Sequence, residues 1–134
     1  METGDVAHMK AVYDAFNHRD REGLSALMDP GVVFEESEQR GDRPRERRGR
    51  ERLLDYLSSW WDAWETVHWE VYEGREEGGR VLTLCNVRGR PRGTNHDIER
   101  RMGHISRFRD GRLLRSRSYV DVDRAARDFE ARIG

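Results

Sequence analysis

Glu36 closes the run Val32-Val33-Phe34-Glu35-Glu36, in which strand alternation puts Val32, Phe34 and Glu36 on one face. The apolar members mark that face as the buried one, so the carboxylate is expected against apolar walls. Burial disfavours its charged form and moves it toward the range useful for a general base. The competing reading is that Glu36 has left the interior and pairs with an arginine of the following loop. His104 stands in a second alternating run with Arg100, Met102, Ser106 and Phe108. An imidazole there could serve as a neutral hydrogen-bond donor or as an acid titrating near neutral pH. The plainer alternative is a half-buried histidine bonded to a neighbouring backbone group or arginine. Tyr13 is the third candidate: a hydroxyl aimed into a cavity, or a core aromatic with a polar tip.

Around these groups, Phe34, Trp60, Trp64 and Met102 offer large apolar surfaces suited to an aromatic or polycyclic ligand as well as to a core. Ser116 and Ser118 alternate with Arg115, Arg117 and Tyr119, so one side of the last strand should face a pocket and the other a charged outer surface or interface. Pattern alone does not say which. The arginines between Arg40 and Arg52 are interrupted by Asp42, Glu46 and Glu51 and carry no interleaved aromatics, which favours a solvated, salt-bridged loop over a phosphate or nucleic-acid site. His8, His18, His68 and His96 form no metal-binding spacing, and no metal is expected.

These side chains need a scaffold, and hydrophobic periodicity outlines one. Val6, Met9, Val12, Tyr13 and Phe16 recur at helical spacing between Asp5 and His18. Asp20 is placed to cap a shorter helix with the apolar face Leu24, Leu27 and Met28, which Asp29-Pro30-Gly31 should end. The first strand follows. Residues Ser37 to Arg50, with Gly41, Pro44 and Gly49 among charges of both signs, read as a loop that could cover a pocket mouth. From Arg50 to Trp64 a broad stripe of Leu53, Leu54, Tyr56, Leu57, Trp60, Trp61 and Trp64 predicts a long helix buried over much of its circumference. The rest reads as strands: Val67–Tyr72, Val81–Val87 after the Gly78-Gly79 turn, about Ile98–Phe108 after Gly93-Thr94-Asn95, and Leu113–Val120 after Asp110-Gly111. A short helix with Ala125, Ala126 and Phe129 closes the chain. Helices set ahead of an antiparallel meander indicate the α+β class, with residues 1–134 as one domain.

Composition narrows the partners. Charged residues are 38% of the chain and hydrophobic ones 35%, a balance compatible with folding only because the apolar residues cluster in periodic segments. A formal net charge of -1 supplies no global field for nucleic acid. The lone Cys85 excludes an internal disulfide and reads as a small buried residue. With no apolar run of signal-peptide or membrane-spanning type, a cytoplasmic protein without membrane association is expected.

Four local patterns in order, Tyr13-Asp14-Ala15-Phe16-Asn17, Asp29-Pro30-Gly31-Val32-Val33-Phe34, Gly49-Arg50-Glu51 opening a helix, and Phe108-Arg109-Asp110-Gly111-Arg112, resemble the nuclear transport factor 2-like superfamily, in particular its SnoaL-like branch. The resemblance spans nearly the whole chain. It implies a conical barrel in which a curved antiparallel sheet wraps around a long helix and leaves an apolar cavity, commonly in a homodimer packed sheet to sheet. Members include polyketide cyclases, ketosteroid isomerase, scytalone dehydratase, limonene epoxide hydrolase and non-catalytic modules, so the fold does not select a function. By similarity to ketosteroid isomerase, Glu36 takes the place of the general base, although Glu-Glu-Ser stands where that family has an Asp-Pro step. His104 takes the place of the acid that hydrogen-bonds the substrate oxygen. The isomerase's tyrosine aligns with Val12 rather than with the adjacent Tyr13. The expectation is a cofactor-free isomerase, cyclase or dehydratase acting by proton transfer on a small hydrophobic molecule. The alternative is a non-catalytic ligand-binding or dimerisation module. An epoxide hydrolase ranks third: Arg88 or Arg100 could supply its cation, but no pair of inward aspartates can be named.

Overall fold

The computed structural model describes residues 4–37 and 45–132. Four helices and six strands follow in the order α1 (Asp5–Asn17), α2 (Arg21–Ala26), β1 (Met28–Glu36), β2 (Arg45–Arg48), α3 (Arg50–Ala63), β3 (Trp64–Glu77), β4 (Arg80–Pro91), β5 (Ile98–Arg109), β6 (Arg112–Tyr119) and α4 (Val122–Glu130). All strands join one curved sheet in the order β2-β1-β6-β5-β4-β3, which leaves β2 and β3 as its edges.

Helix α1 buries the five residues its period selects, Val6, Met9, Val12, Tyr13 and Phe16. They meet Val67, Trp69, Val81, Cys85 and Val87 of the sheet and Leu53 and Leu54 of α3 in the main core. Asp20 caps α2 by accepting from the Gly23 amide at 2.9 Å. The β3–β4 and β5–β6 hairpins turn at Gly78-Gly79 and Asp110-Gly111, each with two successive positive φ values, the geometry that matches strand twist.

Several expectations are corrected. The sheet is not wholly antiparallel: β1 runs parallel to β6, because the chain passes through α3 and three further strands before returning to β1's free edge. Asp29-Pro30-Gly31 does not separate α2 from a strand beginning at Val32. Strand β1 begins at Met28 and carries those residues as a register irregularity, with Pro30 exposed where pairing to β6 shifts. The segment expected to be a continuous loop contains β2, paired antiparallel to β1 through Val33↔Arg48 and Glu36↔Arg45. Residues 38–44, on which the pocket-covering loop would chiefly rest, lie outside the described residues. Helix α3 buries only Leu53 and Leu54 fully, whereas Tyr56, Leu57, Trp60 and Trp61 are half-buried. Trp64 is no longer helical and opens β3.

The opposite face of the sheet has its own smaller core. Leu82, Leu84, Ile105 and Tyr119 receive Ala125 and Phe129 of α4 there. Asp121 caps α4, accepting from the amides of Asp123 and Arg124 at 3.0 and 3.1 Å. Gly103 permits this close approach, since a Cβ in its place would lie 3.2 Å from that of Ala125 and 3.0 Å from Leu84 Cδ2. Nearby, Glu35 is 4% exposed and is paired by Arg115 and Arg117, a buried acid that alternation alone had turned away from the cavity without a partner.

Candidate active site

Between α1, α3 and the inner face of the sheet lies a cavity of about 400 Å³, within the range of ligand pockets. Its walls are chiefly Met9, Val12, Phe16, Phe34, Trp60 and Met102, with Trp69 and Leu57 between them. Into this apolar space the strand register delivers one polar row. Arg45 of β2 pairs with Glu36 of β1, Glu36 with Ser118 of β6, Ser118 with His104 of β5, and His104 with Thr83 of β4. Five neighbouring strands thus each contribute one polar side chain to this row. Glu36 and His104 lie two strands apart, about 10 Å between backbones at about 4.8 Å per strand spacing. Both line the cavity, with Ser118 between them.

At the inner end of the row, His104 is 6% exposed and its Nδ1 lies 2.6 Å from the Tyr13 hydroxyl. That hydroxyl is also 2.9 Å from Thr83 Oγ1. Burial lowers the His104 pKa to about 4, so the ring is neutral across the physiological range. Burial, with the neighbouring Cys85 thiol adding to it, raises Tyr13 well above the usual phenol value and keeps it protonated. Cys85 is itself pushed up to about 12 by burial, which leaves it an inert thiol. With Thr83 donating to Tyr13 and Tyr13 donating to His104 Nδ1, the ring carries its proton on Nε2. With the relay reversed, Nε2 presents a lone pair. Trp69 and Phe34 hold the imidazole, their ring centroids 5.5 and 6.1 Å away.

At the outer end, Glu36 does not sit against bare apolar walls. Its Oε1 accepts from the Tyr56 hydroxyl at 2.5 Å and pairs with Arg47 Nη1 at 3.3 Å, so the arginine pairing considered from the sequence is present together with a place on the cavity wall. The Arg47 guanidinium lies 3.6 Å over the Tyr56 ring. Burial, then the hydrogen bond to Glu36, raises the Tyr56 pKa, so its hydroxyl stays a donor. Arg45 completes the rim.

Of the residues singled out from the sequence, Glu36, His104, Tyr13, Phe34, Trp60, Met102, Ser116 and Ser118 all line this cavity. Ser116 and Ser118 therefore mark the inner side of β6, with Arg115 and Arg117 outside, and the Ser116 hydroxyl bonds that of Ser106 at 2.9 Å. Trp64 is elsewhere: it stacks on Trp60 at 6.2 Å but borders a neighbouring depression with Val67, Gly89 and Pro91. Thr83, Tyr56, Arg45 and Arg47 were not singled out. The alternation of Val81, Thr83 and Cys85 carried a signal for Thr83, while Arg45 and Arg47 belong to a strand without any apolar residue. No aspartate lines the cavity among the described residues, so these residues do not assemble the aspartate pair of an epoxide hydrolase.

An α+β sheet cupping an apolar cavity crossed by one polar row defines a class of small pocket proteins. The family model for the SnoaL-like domain matches residues 9–116, and the chain belongs to that family. No match is found among curated proteins. Among solved structures the chain is similar to wild-type IdmH, a putative polyketide cyclase from Streptomyces antibioticus, with 24% identity over 96% of this chain and 99% of that one and a TM-score of 0.74. It is similar to TerC, co-crystallised with polyporic acid, with 22% identity, coverage of 94% and 98%, and a TM-score of 0.71. An LEH-like epoxide hydrolase from M. tuberculosis shares 17% identity over 94% of both chains, with a TM-score of 0.70. At these identities the likeness shows a shared fold. No helix among the described residues is long and apolar enough to cross a membrane.

Proposed function

We propose that this SnoaL-like protein binds a small hydrophobic, flat molecule in its cavity and catalyses a cofactor-free proton transfer of the isomerase, cyclase or dehydratase type. The observation that carries the reading is the row Glu36–Ser118–His104, which sets a carboxylate and a neutral imidazole on one apolar cavity wall. A substrate carbonyl oxygen would accept a hydrogen bond from His104 Nε2–H, and Glu36 would take a proton from the carbon beside that carbonyl. The C–H electron pair then becomes the enolate π bond and the carbonyl pair moves onto oxygen, where the Nε2–H donor stabilises it. Return of the proton from Glu36 to a different carbon completes an isomerisation; its delivery to a departing β-hydroxyl, which leaves as water, completes a dehydration; its delivery to the alkoxide formed when the enolate carbon attacks a second carbonyl completes a cyclisation. Tyr13 and Thr83 act through His104 by setting its tautomer.

Trp60 and Phe34 would hold the flat body of the substrate. Binding of polyporic acid by the structural neighbour TerC is in keeping with such a ligand. A homodimer packed sheet to sheet would have to form beside α4, which occupies the patch of Leu84, Ile105 and Tyr119 on the outer face.

The test uses 2-tetralone as a carbon acid. NMR in heavy water follows exchange of its α-protons, and tryptophan quenching follows its binding. The expected result is saturable quenching with exchange above the buffer rate, lost in Glu36→Gln while quenching persists. Quenching without exchange by the wild type would replace the enzyme with a binding module, and absence of both would overturn the cavity reading.

A further inference from the structure

The rim of the cavity carries more positive than negative charge, and this points to what its ligand bears at that end. Strand β2 has no hydrophobic residue, yet its register is fixed by β1: Arg45 stands opposite Glu36 and Arg47 opposite Phe34. Both arginines therefore share the inward face with the catalytic candidates, and Glu46 and Arg48 take the other face, where they pair with each other at 2.8 Å. The charge of Glu36 is matched by Arg47, 3.3 Å away, whose guanidinium is also stacked on Tyr56 and held in place. Arg45 is left over. It lines the cavity, is exposed on its outer side, and has no hydrogen-bond or ion-pair partner among the described residues. Among the described residues, two arginines and one glutamate make a local charge of one positive unit at the mouth of a cavity whose remaining walls are largely apolar. Ser37, which lines the same end, adds a hydroxyl.

Resting on the proposed function, we infer that the ligand is an amphipathic anion: a flat apolar body seated against Trp60 and Phe34, with a carboxylate at the mouth paired to Arg45. An apolar body alone gains nothing from a guanidinium, whereas a carboxylate offers the fork of two oxygens that a guanidinium binds in a bidentate fashion. The carboxylate would lie one strand spacing beyond Glu36, on the side away from His104. The reacting carbon stays between Glu36 and His104, and Arg47, 3.3 Å from Glu36, offsets the Glu36 charge that the bound carboxylate would otherwise face. Arg45 thus selects and orients the ligand and is not itself a catalytic residue.

The experiment compares naphthalene-2-carboxylate with naphthalene-2-carboxamide, the same ring system without the charge, by titration calorimetry on the full chain at two salt concentrations. The expected result is tighter binding of the carboxylate at low salt, by roughly fivefold for a partly exposed charge pair, with the advantage shrinking as salt rises. Arg45→Gln should remove the advantage while lowering carboxamide affinity much less, and Arg45→Lys should restore part of it. The exposed position of Arg45 makes a folding defect in these variants easy to recognise, because carboxamide binding would fall with it. Equal binding of the two probes, or a carboxylate preference that survives Arg45→Gln, overturns the anion inference and leaves the cavity reading standing. Failure of both probes to bind overturns both.

Discussion

The Tyr13 hydroxyl lies 2.6 Å from His104 Nδ1, tying the first helix to the fifth strand at the inner end of the cavity. The contact satisfies a buried imidazole nitrogen and leaves the other nitrogen to the proposed ligand. Tyr13→Phe keeps the ring stacked on Trp69, whose centroid is 5.6 Å away, but strands both His104 Nδ1 and Thr83 Oγ1. A loss of roughly 1–3 kcal/mol in unfolding free energy is expected from denaturant titration. The nitrogen-15 shifts of the His104 ring should move away from a single tautomer.

Stability should depend on pH through His104. Its ordinary value of 6.5 falls to about 4 in the folded chain, so between these limits the unfolded chain binds more protons than the folded one. The contribution of the neutral ring is complete above pH 6.5 and is lost as pH falls toward 4, at most about 3 kcal/mol for a shift of this size. Denaturant midpoints at pH 7 and pH 4.5 should differ more in the wild type than in His104→Gln. Equal differences would mean that other groups carry the acid sensitivity.

Glu36→Gln keeps an oxygen able to accept from Tyr56 and removes the proposed base. Its α-proton exchange rate on 2-tetralone should fall at least about 100-fold, with little change in ligand affinity. A small drop in rate accompanied by a large drop in affinity would instead make Glu36 a binding residue.

Trp60 and Trp64 stack on each other, yet only Trp60 reaches the cavity that holds Glu36 and His104. Fluorescence quenching by 2-tetralone should therefore weaken about fivefold or more in apparent affinity for Trp60→Ala, since truncation removes buried apolar contact. Trp64→Phe should bind as the wild type does. Weakening in Trp64→Phe as well would move the ligand to the neighbouring depression, which both tryptophans line.

Much of this arrangement can be read along the chain because the signals are local. A period near 3.6 from Val6 to Phe16 fixes which side of α1 is buried, and a period of 2 turns Phe34 and Glu36, or Met102 and His104, the same way. The turns at Gly78-Gly79 and Asp110-Gly111 announce themselves by residue type, since the conformation they adopt suits few others. The family resemblance was carried by the order of such local patterns.

Periodicity assigns a face and says nothing about which strand lies alongside. The parallel contact of β1 with β6 places Ser118 between Glu36 and His104, although the nearer neighbours in sequence gave no hint of it. Tyr13 finds His104 across 91 residues, and Arg45 reaches the cavity on a strand with no apolar residue to reveal it. Trp64 continued the helical stripe on paper but left the helix, because after Ala63 its backbone gains pairing with β4 that the helix could not offer. The amino-acid sequence by itself determined the helices and most of the strands, the buried face of α1, and that Glu36 shares a face with Phe34 and His104 with Met102. Only the tertiary structure decided the row in which they stand, since register is set where strand edges meet, and that depends on the closure of the whole chain.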